Sequence, residues 1–166
     1  MAVAVHVNVH AYATTHVATN LVRSLKQLVV ACGLDAAKLL GEWNVLELGV
    51  ETWLRTGHLR ELILEIYDPA NDKLVKRYDF EIDYGYRPDG DGDLWLDSDA
   101  VAYAVNKAGS VLASCSYDVF VDTAYGRPDV EGWSTGMLRS TGDLRRRSVG
   151  TAVGGGDLGA KLNYWK

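Results

Sequence analysis

Four groups of residues in this sequence have types that could do chemistry, and the spacing of each limits what it can do. Asp89, Asp91 and Asp93 alternate with glycines, like the opening of a calcium loop. Such a loop needs glycine at its sixth position and glutamate at its twelfth. Leu94 and Ala100 stand there instead, so a solvated turn is the plainer reading and a calcium-dependent module its rival. His6 and His10 share one side of an extended segment, and His16 follows. Histidines four apart on a strand are separated by about 13 Å, too far to share one metal. Gly154, Gly156 and Gly159 have the Gly-x-Gly-x-x-Gly spacing of a phosphate cradle. The chain is too short beyond them for the helix and second strand that a dinucleotide fold requires. Arg145-Arg146-Arg147 is the only basic run. It suits a solvated strand or a contact for an acidic partner; direct binding of nucleic acid is not expected, since it lacks an aromatic platform.

No nucleophile elbow, P-loop or Cys/His pair is present, so no catalytic residue, metal ligand or cofactor site is assigned. Cys32 and Cys115 have no metal-ligand spacing and are expected to be free, buried thiols of a cytoplasmic protein. Trp133 and Trp165 lie in a glycine-rich stretch with few apolar neighbours. Each must dock onto the domain or onto a partner.

The elements that would position these groups follow from periodicity. Val3, Val5, Val7 and Val9 alternate with Ala4, His6 and Asn8, which reads as a half-buried strand. Thr14 or Thr15 should cap a helix of about 18 residues. Its stripe is Val17, Leu21, Leu25, Leu28 and Cys32, and Gly33 ends it. A helical turn over 35–40 precedes a second helix with Trp43, Leu46, Val50, Trp53 and Leu54 on one side and Gly57 at its end. Residues 59–67 and 73–84 read as a hairpin about the turn Asp68-Pro69-Ala70-Asn71-Asp72. Asp97 or Ser98 caps a third helix stopped by Gly109, and a strand spans Cys115 to Thr123. Short β-like pieces at 137–140, 145–153 and 161–165 close the chain. Helices and strands are segregated, which predicts an α+β fold with helices on one face of a mainly antiparallel sheet.

With 166 residues, 48% of them hydrophobic, the chain suits one domain with a proper core. The N-terminal stretch lacks the basic flank and continuous apolar block of a secretory signal, and no run is long enough to span a membrane. The net charge of −5 is uneven. Residues 126–166 carry seven Lys/Arg against four Asp/Glu, hence +3, leaving −8 on the first 125. The same tail holds nine of the 17 glycines. A regular front part is thus joined to a looser, basic back part.

Four segments together resemble the bacterial HORMA-domain proteins encoded beside cGAS-like nucleotidyltransferases in anti-phage operons (CBASS). They are Thr14-Thr15-His16-Val17-Ala18, Val50-Glu51-Thr52-Trp53-Leu54-Arg55-Thr56-Gly57-His58-Leu59, Gly126-Arg127-Pro128-Asp129-Val130-Glu131-Gly132-Trp133, and Arg145-Arg146-Arg147-Ser148-Val149-Gly150-Thr151. The resemblance implies a three-helix layer on an antiparallel sheet, with residues 1–125 as core and 126–166 as a C-terminal "safety belt". A closure-motif peptide would add a strand beside Cys115–Thr123 and the belt would wrap over it. Tyr117, Val119, Val121, Trp133, Met137 and Arg139 are the expected peptide contacts. Arg145, Arg146 and Arg147 would meet a protein partner. The closed form would activate a cGAS/DncV-like nucleotidyltransferase. An AAA+ remodelling ATPase would grip Ala2, Val3, Ala4 and Val5, and a second HORMA protein is a further partner. Whether the chain's own Leu158–Lys166 end serves as a peptide donor stays open. So do the alternatives of a static interaction module or an α+β enzyme.

Overall fold

The computed structural model describes the backbone of residues 9–86 and 94–166, with side chains from residue 12 onward. In chain order the elements are α1 (Val9–Ala31), α2 (Ala37–Gly41), α3 (Trp43–Arg55), β1 (Leu59–Asp68), β2 (Lys73–Asp83), β3 (Trp95–Leu96), α4 (Ser98–Ala108), β4 (Ser116–Thr123), β5 (Arg146–Gly155) and β6 (Leu158–Trp165). The strands form one sheet in the order β3-β5-β6-β2-β1-β4, with antiparallel pairing throughout. Helices α1, α3 and α4 pack together and against the strands.

Each strand splits its residues between two faces. Leu62, Leu64 and Ile66 of β1, Tyr78 and Phe80 of β2, and Ala160 and Leu162 of β6 meet Leu21, Leu25, Leu28, Trp53 and Val101 of the helices in one buried cluster. The opposite, open face carries Glu61, Ile63 and Glu65 of β1 and Arg77, Asp79 and Glu81 of β2. Ile63 and Glu65 are nevertheless fully buried, because the chain following β4 crosses over them.

The α+β class, the hairpin and the third helix are as the sequence predicts. Other expectations need correction. Val9 opens α1 and is not strand; residues 3–8 of the expected strand, with Val3, Ala4, Val5 and His6, lie outside the described residues, as do Ala2, Asp89, Asp91 and Asp93. His10 lies within α1. Thr14 and Thr15 sit inside that helix, past its first turn, and are not its N-cap. Thr14 is buried, while the Thr15 and Thr19 hydroxyls donate to Glu51 (3.3 Å) and Glu47 (3.0 Å) of α3. Their polarity serves helix–helix contact, which periodicity along one helix cannot distinguish from capping. Residues 137–140 form no strand; ion pairs described below draw them across the sheet. The glycine spacing is a hairpin: Gly154 and Gly159 face each other across β5 and β6, and Gly156 (φ +59°) lies in their turn. Both cysteines are free and half-buried.

Asp97 caps α4 by accepting from the backbone N–H of Asp99 (3.1 Å) and Ala100 (3.2 Å). Asp97→Ala should therefore cost about 1 kcal/mol in urea unfolding; no measurable loss would show that the cap carries no weight.

Candidate functional site

Two features make β4 unusual. It is an edge strand, paired only with β1, and among the described residues no backbone hydrogen bond is made to its outer side. The outward carbonyl of Tyr117 accepts instead from the Lys38 ammonium at 2.8 Å. In an antiparallel pair, outward and inward backbone groups alternate along the strand. The pairing of Tyr117, Val119 and Val121 with Ile66, Leu64 and Leu62 runs without a bulge, so the main-chain groups of Val119 and Val121 also point outward. An open edge of this kind is a template for another strand.

The chain after β4 goes round this edge. On the helix side, Trp53 donates its indole N–H to the Pro128 carbonyl (2.7 Å), and Arg127 lies 4.9 Å above the Trp53 ring. Trp133 then docks on α3. Its indole N–H reaches the Val45 carbonyl (2.9 Å), and its ring meets Trp53 edge-on with centroids 5.0 Å apart. The contact requires glycine at position 49, because the indole occupies the space a Cβ would take. Next the chain rounds the edge onto the open face, where Gly136 lies so close to Phe120 that a Cβ would approach the ring to 2.7 Å. Between edge and passing chain lies a groove of about 1000 Å³, lined by Leu46, Trp53, Val119, Val121, Trp133 and Met137 among others.

Arg139 buckles the crossing to the sheet. Its guanidinium donates to Glu65 (2.9 Å), Asp118 (3.1 Å) and Asp72 (3.0 Å), its backbone N–H donates to Glu65 (2.9 Å), and it lies 3.5 Å above the Tyr67 ring. The three carboxylates come from β1, β4 and the β1–β2 turn. Burial pushes the Asp118 carboxyl up, but the hydrogen bonds and charges of Lys38 and Arg139 outweigh it and hold the group below its ordinary value. Beyond the buckle, β6 adds to β2. The Trp165 indole donates to Asp79 (2.8 Å), and Arg77 sits 5.1 Å over that ring while binding Asp79 at 2.7 Å.

The expected site residues fare unequally. Val119 and Val121 line the groove and Tyr117, on the same strand, does not; the side chains of all three face the helix layer, where the Tyr117 hydroxyl donates to the Asp35 carbonyl at 2.7 Å. What they present to the edge is backbone. Trp133 forms a wall, and Met137, 88% exposed, stands at the rim. Arg139 is committed to the buckle and does not line the groove. All three arginines of the run are exposed; Arg146 pairs with Glu81 (2.7 Å) on the open face, and among the described residues Arg145 and Arg147 have no ion pair. Leu158–Trp165 is held between β2 and β5, so this end is not free to act as a donor in this state. Sequence reasoning missed Lys38, Gly49, Glu65 and Asp118. Glu65, an acid between Leu64 and Ile66, and Gly49, a glycine inside a helical stripe, were the available signals.

These features define an α+β domain whose C-terminal segment encloses a free sheet edge. The chain belongs to the bacterial HORMA domain 2 family, whose profile matches residues 2–166. No curated protein matches it. Among solved structures it is similar to a chain of the E. coli MS115-1 CdnC:HORMA-deltaN complex (13% identity, 94% of this chain and 88% of that one, TM-score 0.59). It also resembles C. elegans HTP-2 bound to the HIM-3 closure motif (11%, 78% and 69%, 0.55) and a chain of the mitotic checkpoint complex (12%, 78% and 73%, 0.54). At these identities the likeness shows the HORMA fold.

Arg139→Met removes the guanidinium bonded to Glu65, whose cross-strand neighbour Arg77 is engaged with Asp79 and Glu61. Proteolysis within residues 126–145 should then rise about ten-fold or more, matching about 1.4 kcal/mol of lost closure; an unchanged rate would remove the buckle from the argument. Acid should loosen the wild-type segment too. Asp118 keeps Lys38 in either state, but its bond to Arg139 exists only when the segment is closed, and that part of its contribution is complete above the ordinary carboxylate range near pH 4. It is lost as pH falls through the lowered value. Protection measured against pH should therefore fail at the acid end, and Asp118→Asn should flatten that part of the profile.

Proposed function

We propose that this chain is a non-enzymatic peptide clamp and signalling adaptor. Residues 1–125 form its core and 126–166 its belt. A closure-motif peptide lies along β4 as a seventh strand, within the groove. The observation that carries this is the outward backbone of Val119 and Val121 beneath an encircling segment, with no backbone partner on that side among the described residues. Main-chain bonds to the edge supply affinity, and side chains at alternate positions meet the apolar wall of Leu46 and Trp133 or the open face beside Asp118 and Phe120. In this reading Trp133 and Met137 touch the peptide, Val119 and Val121 offer it their main chain, Tyr117 stands at the end of that ladder with its carbonyl held by Lys38, and Arg139 holds the belt shut.

Family membership and the similarity to a CdnC:HORMA-deltaN complex support a second step. The closed form binds and activates a cGAS/DncV-like nucleotidyltransferase in cytoplasmic anti-phage defence. Arg145 and Arg147, exposed beside the ion-paired Arg146, are the cations offered to that partner. An AAA+ ATPase pulling on Ala2, Val3, Ala4 and Val5 would reopen the belt, and a second HORMA protein would be a source of the peptide. Among the described residues no helix is long and apolar enough to cross a membrane. The switch requires only that a peptide favour the closed state; a preference of about 5.5 kcal/mol moves a two-state balance from 1:99 to 99:1.

Selection of displayed peptides against the purified chain tests the clamp. A selected peptide should slow hydrogen exchange at the Val119 and Val121 amides and protect residues 126–145 from protease. Binders that leave both unchanged, or no binder from a diverse library, would overturn the reading.

A further inference from the structure

Resting on the clamp reading, we infer that Lys38 is a specificity-determining residue that fixes where the added strand must end. Three outward-facing residues in register, Tyr117, Val119 and Val121, could each exchange a pair of main-chain bonds with a neighbouring strand. The acceptor of the first is already taken. Lys38 donates to the Tyr117 carbonyl at 2.8 Å and to the Asp118 carboxylate at 2.7 Å, and its ammonium lies 5.6 Å from the centre of the Tyr117 ring.

The lysine is held there by its own helix. The Tyr117 hydroxyl donates to the Asp35 carbonyl (2.7 Å) and accepts from the Leu39 N–H (3.3 Å), which pins α2 to the start of β4 on both sides of Lys38. Leu39 is buried beneath it. The ammonium therefore cannot leave the carbonyl by movement of the helix. It must break charge-assisted bonds, which are stronger than the neutral bond an incoming amide would form.

The consequence is a ladder with a stop. A strand entering the groove pairs fully at Val119 and Val121 and meets a cation at Tyr117. A sheet edge alone allows a peptide to slip by two residues with its faces unchanged. Lys38 forbids the slip toward α2 and so sets which peptide side chains face the Leu46–Trp133 wall. The ligand class this selects is a peptide whose paired core spans about five residues, with no requirement for main-chain pairing beyond Val119.

The test uses a peptide selected on the full chain, shortened one residue at a time from both ends, so that its direction need not be known. Dissociation constants are measured by calorimetry against the wild type and Lys38→Met, which keeps the stem and removes the donor. Lys38 is half-exposed, and thermal melts confirm that the variant folds. In the wild type, the residue opposite Tyr117 should matter less than about two-fold; in Lys38→Met the same residue should become worth about five-fold, the effect of restored main-chain bonds. Lys38→Arg should behave as wild type. Identical truncation profiles in wild type and Lys38→Met overturn the inference while leaving the clamp intact. Failure of every peptide to bind any of the three proteins removes the clamp itself, and the stop with it.

Discussion

Glu65 is a carboxylate buried in the second strand of a sheet, on the face away from the helices, and the cation it faces comes from 74 residues further along the chain. Burying such a charge unpaired costs several kcal/mol. The pairing with Arg139 is thus a constraint on topology as much as a contact. It obliges the chain leaving β4 to cross the open face, and a chain that crosses there must first travel round the β4 edge. The groove, the cover over Ile63 and the arrival of β5 and β6 on the far side of β2 all follow from that route. Asp118 and Asp72 add to the same guanidinium, which ties the edge strand and the hairpin turn to the crossing.

The open face is correspondingly polar. Arg77, Asp79 and Trp165 form a connected set, and Arg146 reaches Glu81 beside them. Buried ionic groups are poor sources of stability compared with apolar packing, but they discriminate between arrangements, since a misplaced segment leaves charges unanswered. Here the two halves of the tail are each located by such a set on the open face, while Ala160 and Leu162 of β6 complete the apolar core on the other. Stability and placement of the tail are therefore divided between the two faces of one sheet.

Local pattern made most of the regular elements legible. The stripe of Leu21, Leu25 and Leu28, the Asp97 cap and the turn at Pro69 are determined by neighbours within a few residues, and the structure agrees. What was hidden depends on distant partners. Thr15 looks like a helix-start signal because the Glu51 carboxylate it reaches lies on α3. Arg139 looked like a peptide contact because nothing near it in sequence reveals Glu65. For Tyr117, Val119 and Val121, periodicity places side chains, whereas the outward direction of main-chain groups depends on pairing with β1. Asp97 illustrates the contrast, since its cap acts on residues two and three positions away.

The passage of residues 126–145 from the helix side of β4 to its open face makes a closed ring of covalent chain and ion pairs. Any strand inside it is threaded, in the manner of the axle of a rotaxane. Release then depends on the ring opening and not on the sum of contacts along the strand, so lifetime and affinity become separate properties. An internal stretch of a folded protein can be held as firmly as a free end, because bulky domains on both sides act as stoppers. Such a complex retains a record of the encounter that formed it until something expends work on the ring.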